Sequence, residues 1–150
     1  MQTFTDRKGD EWRVTLDTAI LKSIRKDLGI DLLTLEDSSL SALIADDEKL
    51  VDVISFICTD QIRKREMDAS SFAAVLVGDA IDNACEALVG ELVFISRSSR
   101  RAVVQKAWEK ATAAVSKLNQ EAVKMMDSPE MENQLNEIVG QFGKSLKTST

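Results

Sequence analysis

Histidine and tyrosine are absent from this chain of 150 residues, and cysteine and proline are scarce, with two copies and one copy. Without histidine, the chain itself supplies no histidine-based catalytic triad, no histidine metal ligand and no histidine pH switch. A chain of this length buries about two-thirds of its unfolded surface, so it needs neither a metal nor a disulfide to fold. We expect one domain-sized, mainly helical protein, whose function the residues alone do not name.

The charge of the chain is unevenly distributed. Residues 1–91 hold 10 basic and 19 acidic side chains, whereas residues 92–150 hold 9 basic and 6 acidic ones. An acidic body disfavours a nucleic-acid interface, which needs cations clustered on one face. The cations are densest at Arg63-Lys64-Arg65 and at Arg97, Arg100 and Arg101. The second group has two interpretations: a phosphate site, or a solvated turn with cations near helix ends.

The placement of the cysteines and the hydropathy of the chain indicate in which cellular compartment the protein is expected. Cys58 and Cys85 each lie in an apolar run, which predicts buried thiols in an intracellular protein. The first ten residues lack the apolar core of a signal peptide, and every apolar stretch is interrupted within about ten residues. We therefore expect no export signal, no membrane span and a cytoplasmic location.

The N-terminal residues predict a β-hairpin. Apolar and polar residues alternate over residues 3–5 and 12–16, and a polar loop with a glycine separates the two runs. Phe4, Trp12, Val14 and Leu16 then share one face. An isolated hairpin is marginally stable, so this face must pack on helices or on another chain.

Capping residues mark the helices that follow. Asp17 is a predicted N-cap, and Gly29 is the expected left-handed residue after the first helix. Ser39 is expected to cap a brief second helix. Carboxylates from Asp46 onward indicate the start of an apolar central helix that runs to about Arg65.

Two further helices complete the predicted body. Asp68 starts a short helix that Gly78 ends, and Asp79 is expected to cap the next helix. The predicted buried face of that helix consists of Ile81, Ala84, Cys85, Leu88, Val89, Leu92 and Val93.

The last third of the chain follows a break at residues 97–100. A long helix is predicted from Ala102 to about Met126, and Ser128 with Pro129 starts a terminal helix. The apolar stripe of that terminal helix is Leu135, Ile138, Val139, Phe142 and Leu146. The predicted fold class is therefore mainly α, with an N-terminal β-hairpin, a compact multi-helix domain and a C-terminal helical arm or hairpin. Residues 1–96 form the hairpin and helical body, and residues 97–150 either pack on that body or project as an arm.

Candidates for chemistry are few. Asp79, Asp82 and Glu86 share one helix face, where they could bind a hard cation or could form an N-cap with a solvated acidic surface. Neither cysteine has a histidine to activate it. We therefore expect no catalytic residue, no cofactor and no metal.

The long helix carries a stripe rich in alanine with one large aromatic residue, Trp108. Small residues allow another helix to approach closely, so the stripe either packs on the protein's own core or binds a partner helix. The candidate partner-binding residues are Val104, Trp108, Ala111, Val115 and Leu118.

The order of these segments carries a family resemblance over about residues 3–115. The segments are Phe4-Thr5-Asp6, Trp12-Arg13-Val14-Thr15-Leu16, Ile20–Arg25, Leu28–Leu33, Leu50–Ile54, Phe72 to Leu76, Gly78–Asp82 and Ala87–Val93. In this order the chain resembles the phage tail assembly chaperones, small helical proteins encoded before the tape-measure protein of long-tailed phages and prophages.

This resemblance implies a non-enzymatic assembly factor. Such chaperones keep the long helical tape-measure protein soluble, help to recruit tail-tube protein, act in the host cytoplasm and leave before the virion is complete. The resemblance implies no catalytic residue, and a homo-oligomer would add avidity along a long partner. The acidic charge and the interrupted apolar stretches lead us to expect neither a nucleic acid nor a membrane as a partner.

Two other functions stay open at this point. One is a structural or adaptor subunit that remains in a phage or phage-like particle. The other is a small helical regulator that forms a homodimer through residues 102–147.

Overall fold

The computed structural model describes residues 2–127, 133–134 and 136–140. Its fold class is the predicted one, mainly helical with an N-terminal antiparallel hairpin. The elements are β1 (Gln2–Thr5), β2 (Glu11–Val14), α1 (Thr18–Leu28), α2 (Asp37–Ala45), α3 (Asp47–Ile57), α4 (Thr59–Lys64), α5 (Ala69–Val75), α6 (Asp79–Ile95) and α7 (Arg101–Met126). Within these described elements, no helix has the length and apolar character needed to cross a membrane.

The hairpin confirms the predicted face. Phe4 is paired with Trp12 in the strand register, and both side chains are buried together with Val14 and Leu16. The Trp12 ring meets Phe72 of α5 edge to face, with ring centroids 4.8 Å apart. The hairpin therefore belongs to the main hydrophobic core, which it shares with residues of α1 to α7.

Most of the predicted helix ends are confirmed. The carboxylate of Asp17 accepts the N–H of Ile20 at 2.8 Å, and the carboxylates of Asp46 and Asp68 cap α3 and α5 in the same way. Gly29 has φ 69°, the left-handed conformation that its place after α1 requires. The three aspartate side chains accept N–H groups that a helix leaves unpaired at its first turn.

The predicted single central helix is wrong, because the chain breaks at Cys58 between α3 and α4. The hydroxyl of Thr59 donates to the carbonyls of Phe56 at 2.8 Å and Ser55 at 3.1 Å. A threonine that binds preceding carbonyls bends a helix, since it competes for the acceptors of the helical ladder. The break redirects α4 toward the hairpin.

Two predicted caps are also wrong. Ser39 lies inside α2, where its hydroxyl donates to the Glu36 carboxylate at 3.0 Å. Asp79 is the first residue of α6, whose N-cap is Gly78 with φ 59° and no side-chain capping bond. At the first turn the Asp79 carboxylate still lies at the positive end of the helix dipole.

The buried face of α6 differs from the predicted one by a partial rotation. Its buried residues are Ala80, Ala84, Ala87, Leu88, Glu91 and Leu92, whereas Ile81, Cys85, Val89 and Val93 are half-buried. Small residues permit close packing against β1, where a Cβ on Gly90 would lie 3.0 Å from the Gln2 side chain. The Glu91 carboxylate accepts the N–H of Leu16 at 3.4 Å, which brings a charged residue into this face.

The chain divides into two compact units, Met1–Ala113 and Ala114–Thr150. The expected division after residue 96 assigns all of α7 to the second part, whereas the first unit includes α7 as far as Ala113. The predicted helix start at Ser128 and Pro129, and the stripe residues Leu135, Phe142 and Leu146, lie outside the described residues.

Candidate functional site

The candidate partner-binding stripe of α7 is buried over most of its length. Val104, Trp108, Ala111 and Val115 have relative exposures of 2%, 1%, 0% and 9%. With 3.6 residues per turn, these positions fall on one face of the helix. The first three belong to the main hydrophobic core. The alternative in which the stripe packs on the protein's own core therefore describes α7 from Val104 to Ala111.

The last candidate differs from the other four. Leu118 is 62% exposed, and Val123, Met125 and Met126 further along α7 are 58–62% exposed. Leu118 and Met125 lie seven residues apart, which places them on the same helix face. We call Leu118, Val123, Met125 and Met126 the distal apolar residues. They give the C-terminal part of α7 an apolar surface of which more than half of each side chain is exposed.

Apolar exposure continues in the second unit beyond α7. Ile138 and Val139 lie in a described helical stretch and are 62% and 69% exposed. Single exposed apolar residues are ordinary, but several large ones in a short span are typical of contact surfaces. The second unit can therefore offer a partner more apolar surface than α7 alone.

The arginines after α6 do not gather into one anion site. The Nε of Arg101 donates to the carbonyl of Ser96 at 3.1 Å, at the C-terminal end of α6. Arg97 and Arg100 line a pocket of about 440 Å³. Asp17, the N-cap of α1, also lines this pocket and carries a carboxylate. A carboxylate at the same pocket opposes the binding of phosphate. The geometry therefore favours the interpretation of cations near helix ends.

Two of the three acidic residues proposed as cation ligands lie at the start of α6. Asp79 and Asp82 lie in the first turn, where the helix dipole favours negative charge. Among the residues that the structure describes, no group of three or more His, Cys, Asp or Glu side chains is placed to hold a metal ion. The cation-binding interpretation of Asp79, Asp82 and Glu86 gains no support from their placement.

The thiols lie in environments that disfavour the nucleophilic form. Burial raises the pKa of Cys58 to about 12, with the charge of Arg65 acting in the opposite direction. Burial, with the charges of Asp82 and Glu86, raises the pKa of Cys85 to about 11. The thiolate is the reactive form, so the raised pKa values disfavour reaction of either cysteine near neutral pH.

Sequence reasoning missed the polar residues that fix the hairpin. The Asp6 carboxylate is 7% exposed and accepts the Trp12 indole N–H at 2.9 Å and the N–H groups of Lys8 and Asp10. An aspartate at the start of a glycine-containing loop was the available signal, since such side chains bind the backbone a few residues ahead. Nothing in the local sequence marks Gln61, whose partner Arg13 is 48 residues away.

Comparison of the chain with protein-family models, with curated proteins and with solved structures gave no match.

Proposed function

We propose that this chain is a non-enzymatic assembly chaperone that binds an amphipathic helix of a partner protein. The observation that carries the proposal is the exposure of the distal apolar residues of α7, each of which is more than half exposed. Burying the exposed part of each of them against a partner would contribute about 1–2 kcal/mol before the costs of association. A partner with its own uncovered apolar helix faces would be kept in solution by such contacts.

The partner proposed on the strength of the family resemblance is the tape-measure protein of a long-tailed phage, with tail-tube protein as a second. The host cytoplasm is the proposed location, and release before completion of the virion is the proposed fate. The net charge of −6 supports this role, because a strongly charged chaperone keeps its complexes apart from one another.

Coexpression with a tape-measure protein tests the proposal. The wild-type chain should raise the soluble fraction of the tape-measure protein, and Leu118→Asp/Met126→Asp should abolish that gain. Ser116→Asp/Gln120→Asp is the matched control, since it adds the same charge at exposed polar positions of α7. Equal rescue by both variants, or no rescue by the wild type, would refute the proposal.

The content of finished particles separates this function from that of a structural subunit. A chaperone should be absent from purified particles by mass spectrometry. A constant number of copies per particle would instead establish a structural or adaptor subunit.

A further inference from the structure

The outer edge of β2 is occupied by side chains from later in the chain. The Gln61 amide of α4 binds both the N–H and the carbonyl of Arg13. Two residues earlier on the same edge, the carbonyl of Glu11 accepts a hydrogen bond from the Arg65 guanidinium. These side chains take the place of a neighbouring strand on the β2 side of the hairpin.

The outer edge of β1 lacks such partners. Residues opposite each other in an antiparallel pair exchange either both hydrogen bonds or neither, and the two kinds of pair alternate along the strands. Arg13 gives both of its backbone groups to Gln61, so Thr3 opposite it, and Thr5 two residues later, direct their N–H and carbonyl groups away from β2. Both threonines are exposed, and no hydrogen bond within the described part of the chain reaches these outward groups.

Helix α6 packs along β1 in the opposite direction. At the start of β1, a Cβ on Gly90 would lie 3.0 Å from the Gln2 side chain. Just after the end of β1, the N–H of Arg7 binds the carbonyl of Val75, shortly before α6 begins. The residues of α6 that precede Gly90 therefore run beside the rest of β1.

The row of α6 that contains Gly90 carries negative charge. Glu86 is four residues before Gly90 and Asp79 is seven residues before Glu86, so the three positions lie along one side of the helix. Both acidic residues are exposed. One turn after Gly90 the row reaches Phe94, whose side chain is 62% exposed. The unpaired edge of β1 thus has carboxylates along it and an exposed aromatic ring near its first residue.

We infer that the outer edge of β1 binds an extended, basic segment of a partner protein as a third, antiparallel strand. The backbone of that segment pairs with Thr3 and Thr5, its lysine or arginine side chains face the carboxylate of Glu86, and an apolar side chain covers Phe94. In strand addition, main-chain hydrogen bonds supply affinity and side chains supply specificity. The site lies within the first compact unit, so it is separate from the distal apolar residues and does not depend on the proposed chaperone function.

The charge of the chain favours a basic segment over an acidic one. Residues 1–91, which include the hairpin and most of α6, hold 10 basic and 19 acidic side chains. This excess of negative charge attracts a basic segment before contact, and the attraction is screened by salt. Because only two residues of β1 offer unpaired groups, the contact is weak and readily reversible.

NMR titration of the isotope-labelled full chain with a synthetic peptide tests the inference. The probe is acetyl-Leu-Thr-Lys-Thr-Lys-Thr-Leu-amide, which as a strand carries lysine and leucine on one face and threonine on the other. In a large excess of this peptide, amide hydrogen exchange at Thr3 and Thr5 should slow several-fold. Exchange at Arg13, whose N–H is already bound by Gln61, should not change.

Backbone methylation of the peptide separates strand pairing from simple charge attraction, and it uses the unaltered protein. In the antiparallel arrangement the threonine N–H groups of the peptide face β1, so methylating those nitrogens should abolish binding. Methylating the lysine nitrogens, which point away from β1, should leave the dissociation constant within about twofold. Equal loss of binding from the two methylated peptides would overturn the inference.

Charge reversal on α6 tests the proposed role of the carboxylate. Glu86→Lys should raise the dissociation constant of the peptide by about threefold or more, because attraction becomes repulsion. Asp27→Lys in α1 is the control with the same change in net charge at another exposed position. Equal effects of the two variants, or exchange at Thr3 and Thr5 that the peptide does not slow, would refute the inference. Slowing that follows protein concentration without peptide would assign the edge to a second copy and would also refute it.

Discussion

The side-chain amide of Gln61 binds both backbone polar groups of Arg13. Its oxygen accepts the Arg13 N–H at 2.9 Å, and its nitrogen donates to the Arg13 carbonyl at 2.8 Å. The amide thus takes the position that a neighbouring strand would occupy at the outer edge of β2. An edge whose groups are paired in this way is protected from adding another strand.

Replacing Gln61 should destabilise the chain modestly. Gln61→Leu removes two hydrogen bonds from exposed backbone groups that water can partly satisfy, so the free energy of unfolding should fall by about 1–2 kcal/mol. Gln61→Glu keeps the acceptor for the Arg13 N–H but places a carboxylate oxygen against the Arg13 carbonyl, so it should also be destabilising. Urea melts measure both, with Lys64→Ala on the exposed side of α4 as the control. An effect of Gln61→Leu no larger than that control would contradict this role.

Asp6 should be more important for stability than any other residue of its loop. Asp6→Asn retains one acceptor oxygen but places an amide nitrogen against donors, including the buried indole of Trp12. We expect a loss of about 2–4 kcal/mol in the free energy of unfolding. Asp10→Asn, an exposed neighbour, should stay within about 0.5 kcal/mol of wild type. Equal melts for the two variants would show that the Asp6 network is dispensable.

The pH dependence of stability should contain a contribution from Asp6. Burial alone would raise the pKa of this carboxyl, but the hydrogen bonds from Trp12, Asp10, Lys8 and Gly9 outweigh it and hold the pKa below its usual 3.8. Since the unfolded chain then binds the proton more readily, this contribution is complete above about pH 4 and is lost as the pH falls through the native pKa. The difference between wild-type and Asp6→Asn urea melts should shrink over that acid range. A difference independent of pH would exclude this linkage.

Trp108 and Leu118 should behave oppositely although both belong to the candidate stripe. Trp108→Ala removes a 1% exposed side chain from the core and should cost about 3–5 kcal/mol, whereas Leu118→Ala should be near neutral. The Trp108 indole N–H is buried with no hydrogen-bond acceptor among the described residues. Trp108→Phe removes that donor and should therefore cost much less than Trp108→Ala. Thermal melts followed by circular dichroism would separate the three variants.

Thiol labelling should distinguish the two cysteines. At neutral pH the native chain should react slowly with iodoacetamide at both sites, because both pKa values are raised to 11 or above. Half-buried Cys85 should react faster than Cys58, which is fully buried. Single variants, Cys58→Ala and Cys85→Ala, assign the rates by mass spectrometry, and labelling in denaturant gives the reference rate. Fast native labelling of Cys58 would show that its site opens readily.

Local signals in the sequence were sufficient for the hairpin and for most helix ends. Alternation over residues 12–16 and the caps at Asp17, Asp46, Asp68 and Gly29 depend on neighbours within four residues, which a sequence displays directly. The mainly helical fold with an N-terminal hairpin follows from the same signals.

The structural features that could not be predicted from the sequence depend on packing between distant parts of the chain. The face that α6 buries includes Glu91 because Leu16, 75 residues earlier, supplies a donor. Gly78 replaces Asp79 as the cap because the chain turns there with a positive φ. The stripe of α7 is continuous by periodicity, yet Val115 is buried and Leu118 is exposed. Periodicity predicts which face of the helix a side chain lies on, but it does not predict how deeply that side chain is buried.

The hairpin has a consequence for synthesis of the chain. Its two strands are translated before the described helices, but Gln61, Arg65 and Glu91, which bind β2 and the adjoining Leu16, are translated 48 to 75 residues after the positions they contact. A nascent hairpin of this size is marginally stable by itself. The hairpin therefore becomes fixed only after these later segments have been made, and ribosome-bound chains that end before α6 should leave it open to proteolysis.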